Sequence, residues 1–409
     1  MDFVDNKISK RLGGVDFFNN SADYKFEAIK KEKEIIKNKY PNTEIIDMGV
    51  GEPDLAADIN ICKLLCEECS KVENRLYSDN GIPQFQEAAC SFLKQVYKLN
   101  NLNAYTNIMH GIGSKPILAM LPICFVNPGD IVLTTVPGYP VLSTYSKFLG
   151  AQVYNLPLSK SNDFYPNFNS IPDDILKKSK LLYINYPNNP TGQVATIEFY
   201  KKVVDFAYKN DILVICDSAY SALTFDSDPL SFLSIDGAID VGIEIHSLSK
   251  SFNMTGWRLA FIVSNPKVIK AYANVKGHTD SGQFRAIQKA GAYALNHPEI
   301  ITKNCVKYSR RFDMLVDALC DVGFDAKKPK GTFYCYVSIP KGTKSGYIFK
   351  NAQDASLYIL KNALISTVPW DEAGSFLRFS VTFEAYNQSE EIRIIHDLKE
   401  RLQKLELIF

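Results

Sequence analysis

From about residue 45 onward, short apolar runs alternate with stretches whose apolar residues recur at helical spacing. The runs EIIDMGV, DIVLTTV, AQVYNLPL, KLLYINY, ILVICDSA, VGIEIHSLS and LAFIVS have the length and the β-branched content of strands. Between them, IEFYKKVVDFAYKN places its apolar residues three and four apart and predicts a helix with one buried face. Strands that are apolar almost throughout need cover on both faces, and alternation with helices supplies it. The pattern therefore predicts an α/β fold, a mostly parallel sheet sandwiched by helices.

After about residue 300 the texture changes. KYSRRFDMLVDALCDVG reads as a long charged helix, and FYCYVSI and FLRFSVTF read as strands. This predicts a large domain over residues 49–300 and a smaller α+β domain over 301–409. The N-terminal segment 1–48, with the helical stretch YKFEAIKKEKEIIKNKY, is expected to join the smaller one.

At 409 residues the chain is long enough for such a pair of domains. Its 46 Lys and Arg against 45 Asp and Glu leave no net field to draw nucleic acid or an anionic membrane surface, so a small polar partner is expected. The opening MDFVDNKISKRLGG lacks the apolar stretch of a signal peptide, and no segment offers the roughly 18 apolar residues of a membrane span. A cytoplasmic protein is expected, and nine dispersed cysteines suit a reducing compartment. Cys62, Cys66 and Cys69 in ICKLLCEECS read as a helix face; no histidine or second cysteine pair stands at ligand spacing, so no metal site is expected.

In an open α/β sheet, the loops at the carboxyl ends of the strands converge on one crevice. Four stretches offer chemistry there. MHGIGSKPI places Gly111, Gly113 and Ser114 ahead of a helical run, where free backbone N–H groups suit a phosphate. NYPNNPTG carries Asn189 in a turn. CDSAY ends a strand with Asp217 and Tyr220; a carboxylate directly behind apolar ILVIC should face a cation or a protonated nitrogen. IHSLSKSFNMTGWRLAF holds Lys250 among hydroxyl residues, with Ser247 before it and Arg258 after it.

A lysine works as a nucleophile when its pKa falls well below about 10.4, or when its amine is already joined to a carbonyl. Pyridoxal phosphate meets that need. It also calls for a carboxylate at its ring nitrogen and an anion site for its phosphate. Asp217 and the set Gly113, Ser114 and Arg258 answer both.

The succession NNPTG, DSAY, SLSK and GWR, with 28 residues from Asn189 to Asp217, 33 more to Lys250 and 8 more to Arg258, resembles the fold-type I pyridoxal phosphate aminotransferases. The likeness runs from GVGEPD near residue 51 to LRFSVTF near 380. It implies that Lys250 joins the cofactor covalently and shuttles the proton, that Asp217 pairs with the ring nitrogen, and that Asn189 and Tyr220 bond the ring oxygen. Ser114, Lys115, Ser247 and Arg258 would hold the phosphate. Tyr139 of VPGYP would stack on the ring, at a position where tryptophan is common. Arg378 would take the substrate carboxylate through a two-pronged fork, with Gly51 and Tyr24 also near the substrate. Tyr77 of RLYSDNG and Ser281 of DSGQF would cross from a second subunit, which implies a homodimer with shared sites.

Within that family, KRLGG followed by YKFEAIKK, then GVGEPD, VPGYPV, INYPNNPTGQVA and FNMTGWRLAF, look most like the LL-diaminopimelate aminotransferases. That likeness implies transfer of an amino group from LL-diaminopimelate to 2-oxoglutarate, with aspartate, alanine or aromatic donors as the alternative. RLYSDNG departs from the glutamate-bearing run common in that group, leaving Asp79 to read a distal ammonium. Lyases and decarboxylases share the same Lys, Asp and Arg set. A nicotinamide oxidoreductase lacks its GxGxxG after the first strand, and a transcription factor's sensing domain lacks an appended helix-turn-helix. His246 and Trp257 read as packing residues.

Overall fold

The computed structural model describes residues 3–17, 25–39, 41 and 44–409. Seven strands form the central sheet: β1 (Ile108–Gly111), β2 (Ile131–Val136), β3 (Gln152–Pro157), β4 (Ser179–Asn185), β5 (Leu213–Asp217), β6 (Gly242–Ser247) and β7 (Ala260–Ser264). Their spatial order is β1-β7-β6-β5-β4-β2-β3. The block from β3 to β6 is parallel, and β7 runs antiparallel to both β6 and β1. The fold is thus α/β around a mixed, mostly parallel sheet.

Side chains alternate across it as strand geometry requires. Leu182, Ile184, Val214, Cys216 and Phe261 pack into the core on one face. Val132, Leu181, Ile215, Ile243, Ile245 and Ile262 pack on the other, against Leu118 and Leu121 of helix Ser114–Phe125 and Ile269 of helix Pro266–Gly277. Helix Ile197–Asn210 forms where the periodicity places it. Thr196 caps it by accepting from the Phe199 N–H, and Phe199, Tyr200, Val203, Val204 and Ala207 form its buried face.

Two strand assignments differ from the sequence reading. EIIDMGV does not enter the central sheet: Ile46–Asp47 pairs in parallel with Ile365–Ser366, because its apolar residues give way to a Gly-Val-Gly turn after two paired positions. β1 is a strand the pattern did not announce. Its four residues, IMHG, include a fully buried histidine and end on glycine.

A second, antiparallel sheet is built from β8 (Tyr334–Ser338), β9 (Val368–Trp370) and β10 (Phe376–Ser380), ordered β9-β10-β8. Helices Glu299–Val322, Ala352–Ala363 and Gln388–Gln403 accompany it. A buried ionic cluster ties it to the loop after Ile46–Asp47. Arg311, wholly buried, donates from Nε to Glu391 at 2.8 Å, from Nη2 to Asp54 at 3.0 Å and from Nη1 to the Val381 and Phe383 carbonyls. Lys307 adds a 2.6 Å bond to Asp54. Buried charges persist when paired and hydrogen-bonded on every side, and each of these is. Among the described residues, no helix is long and apolar enough to cross a membrane.

Candidate active site

The carboxyl ends of β4, β5 and β6 face the second sheet across a cavity of about 680 Å³. The register sets Asn185, Asp217 and Ile245 level across three strands, so the loops that follow them open into one space. Gly51, Ser114, Lys115, Tyr139, Asn189, Asp217, Tyr220, Ser247, Lys250, Arg258 and Arg378 all line it.

Lys250 leaves the short helix Leu248–Ser251 that follows β6, and its Nζ donates to the Gly51 carbonyl at 2.7 Å. Burial lowers its pKa to about 8; the charge of Glu52 opposes this, while the Arg258 and Arg378 guanidiniums reinforce it. The lysine is therefore a usable base near neutral pH. Tyr334 occupies the space that a Cβ on Gly51 would need, its hydroxyl 2.8 Å from that position.

Asp217 is buried at the end of β5. It accepts from the Tyr183 hydroxyl at 3.0 Å and from the Ala219 N–H at 3.2 Å, and among the described residues no lysine or arginine pairs with it. Burial raises its pKa to about 6, against those two hydrogen bonds. Such a carboxylate is satisfied by a protonated nitrogen.

Opposite lies an anion cradle. Gly113 has φ +85°, and a Cβ there would stand 2.2 Å from Arg258 Nη2, so a side chain and this placement of the arginine exclude each other. Ser114 opens helix Ser114–Phe125, whose N-cap Gly113 provides no side-chain cap, and Ser247 caps the Lys250 helix. Arg258 itself is left-handed, φ 56°.

Arg378, on β10, lies with its guanidinium 4.0 Å over the Tyr334 ring. Nη1 donates to Asn189 Oδ1 at 2.9 Å and Nη2 to the Gly49 carbonyl at 3.0 Å, while the buried Nε has no hydrogen-bond partner among the described residues. Tyr220 meets the Tyr334 hydroxyl at 3.1 Å.

Other predicted site residues lie elsewhere. Tyr77, Asp79 and Ser281 are exposed and line no part of this chain's cavity; they sit in two adjoining loops, joined by Asp79 N–H to the Ser281 carbonyl at 3.1 Å. Tyr24 lies outside the described residues. His246 stacks on Phe261 at 5.0 Å, and Trp257 packs against the core beside it. Cys62, Cys66 and Cys69 lie on helix Ile59–Cys69.

The sequence reading missed Tyr183, Asn185, Tyr334 and Glu372. Tyr183 and Asn185 stand inside an apolar run, and their role comes from the register that sets them beside Asp217. Tyr334 reaches the cavity from β8 and Glu372 from the link between β9 and β10, and no local signal marks them.

A lysine, an unpaired buried carboxylate and an anion cradle at the carboxyl edge of a parallel sheet define the fold-type I class of pyridoxal phosphate enzymes. The chain belongs to the aminotransferase class I and II family, whose model matches residues 43–393, and it is a pyridoxal phosphate-dependent aminotransferase. It is 50% identical to the LL-diaminopimelate aminotransferase of Methanocaldococcus jannaschii, covering 100% of this chain and 99% of that one. The LL-diaminopimelate aminotransferase of Methanococcus maripaludis is 48% identical at the same coverage. Among solved structures, apo BacF from Bacillus subtilis superposes with a TM-score of 0.85 at 34% identity, covering 93% of this chain and 95% of that one.

Proposed function

We propose that the enzyme moves an amino group between LL-diaminopimelate and 2-oxoglutarate, giving tetrahydrodipicolinate and glutamate for lysine and cell-wall synthesis. The observation that carries this reading is the end-to-end likeness, at 50% and 48% identity, to two enzymes named for that substrate.

Bound in the cavity, pyridoxal phosphate supplies an electron sink that makes the substrate's α-proton removable. The chain's residues do the rest. Lys250 Nζ, neutral above about pH 8, takes up that proton and returns it. Asp217 keeps the ring nitrogen protonated, and the Asn189 amide and Tyr220 hydroxyl hold the ring oxygen. Ser114, Lys115, Ser247, Arg258 and the N–H groups beside Gly113 take the phosphate, and Tyr139 covers the ring face. The Arg378 fork, with its free Nε, takes the α-carboxylate near Gly51.

The working form in this reading is a cytoplasmic homodimer, in which the exposed Tyr77 and Ser281 reach the partner's phosphate and Asp79 its distal ammonium. The chain divides into a large domain over 49–300 and a small one formed by 1–48 and 301–409. Absorbance of the purified enzyme with a panel of amino donors tests the assignment. LL-diaminopimelate should convert the cofactor fastest, and faster conversion by aspartate, alanine or phenylalanine would overturn it.

A further inference from the structure

Gln283 lies outside the cavity lining, yet its hydrogen-bonding groups are all engaged. Its side-chain Nε2 donates to the carbonyls of Trp257 at 2.8 Å and Arg258 at 2.9 Å. Its Oε1 meets His110 Nε2 at 2.9 Å. Its backbone N–H donates to Ser78 Oγ at 3.1 Å, and its carbonyl accepts from the Ser78 hydroxyl and from Gln288 Nε2.

These contacts fix more than Gln283. With both amide hydrogens spent on carbonyls, Oε1 can only accept, so His110 donates from Nε2. Its Nδ1 is then unprotonated, which agrees with its lack of a partner in a buried setting. Burial pushes the His110 pKa down to about 4, against the Gln283 hydrogen bond and the Asp280 charge and with help from the Lys276 charge, so the ring is neutral around pH 7. The amide is anchored from behind by a group that does not change charge.

The two gathered carbonyls flank and include Arg258, which is held left-handed at φ 56°. A residue with a side chain keeps such a conformation only where its surroundings impose it. The Arg258 guanidinium stands against Gly113, within 2.2 Å of where a Cβ would lie, and Nη1 is fixed by the Thr255 carbonyl at 2.9 Å. Letting the Trp257–Arg258 carbonyls go would let that turn relax, and the guanidinium would leave the cradle.

We propose that Gln283 is a positioning residue which, by clamping the carbonyls of Trp257 and Arg258, holds the Arg258 guanidinium at the anion site. The proposal rests on Arg258 as a phosphate ligand and adds what keeps it in place. Its ligand class is a phosphate monoester on an aldehyde-bearing ring, and the phosphate is the part that Gln283 affects.

The test titrates cofactor-stripped full-length protein with pyridoxal 5'-phosphate and, separately, with pyridoxal, following absorbance. Gln283→Leu should weaken the phosphate-bearing ligand about 10- to 100-fold, the range seen when the partner orienting a ligating group is removed. Pyridoxal should change less than about twofold, since a group reached through Arg258 alone does not act on a ligand without phosphate. Gln283→Glu, which keeps the shape and turns an acceptor toward the two carbonyls, should lose the same discrimination and serves if the leucine variant does not fold. Arg258→Ala should show the same signature more strongly, and the double variant should lose no more than Arg258→Ala alone. Equal losses for both ligands would reduce Gln283 to a general stabiliser and overturn the proposal. Additive losses in the double variant would mean that Gln283 acts elsewhere. Unchanged discrimination in Arg258→Ala would remove the underlying reading of the arginine itself.

Discussion

The two groups at the heart of the site have their pKa values drawn toward neutrality, each by burial. Asp217 has a folded pKa of about 6 against 3.8, so between roughly pH 4 and 6 the native state binds a proton that the unfolded chain has given up. Its contribution to stability is therefore lost as pH rises through that window, by about 3 kcal/mol for a shift of this size. In cofactor-free protein, Asp217→Asn should melt above the parent at pH 7 and lose that advantage near pH 4, while binding pyridoxal phosphate far more weakly. A melting-temperature difference that does not vary across this range would contradict the buried, unpaired carboxylate. Lys250→Ala should abolish transamination with the fold intact, as read by circular dichroism, and a residual covalent cofactor band would remove the lysine from its role. Arg378→Lys should raise KM for amino and keto acid alike, because a single ammonium cannot replace the fork. A rise for one substrate alone would make Arg378 a reader of side chains.

At the scale of elements, the strands that bear chemistry were legible because each is a continuous apolar run closed by a polar turn: β4 before Asn189, β5 before Tyr220, β6 before Lys250. Of what lies across the cavity, Arg378 on β10 was named only through the family likeness, and Tyr334 stayed hidden: it reaches the site through β8, more than 80 residues beyond Lys250, and the meeting depends on how the two sheets face each other. β1 was missed because four residues with a buried histidine carry too little periodicity to register, though the Gly-rich turn after it was plain. That turn makes its own prediction. Gly113→Ala adds a Cβ at φ +85° where Arg258 Nη2 already lies, so cofactor affinity should fall at least about tenfold while the helix that follows still forms. Equilibrium dialysis showing unchanged affinity would mean that the arginine has room to move aside.

For the whole molecule, Tyr77 is 78% exposed, and Asp79 and Ser281 lie beside it on the surface, so this chain by itself leaves those three without a site to serve. Sedimentation should show a dimer at assay concentration. Asp79→Ala should lower kcat/KM for LL-diaminopimelate by about one to two powers of ten while sparing glutamate, the effect of losing one charge-assisted hydrogen bond of roughly 1.5–3 kcal/mol. Equal losses would remove Asp79 from substrate choice. The ionic cluster around Arg311 has a consequence of a different kind. It joins Asp54, at the end of the loop whose Gly51 carbonyl receives Lys250, to two helices and two carbonyls of the second layer. Parting that layer from the loop would strip the buried Asp54 carboxylate of both its cations, Arg311 and Lys307, so no small opening can begin there. The amides around Gly51 should exchange with deuterium as slowly as the sheet core, although they lie in a loop at a cavity wall. Breathing that admits substrate must then be confined to other rims, and the floor beneath the lysine behaves as one rigid body with the far side of the protein.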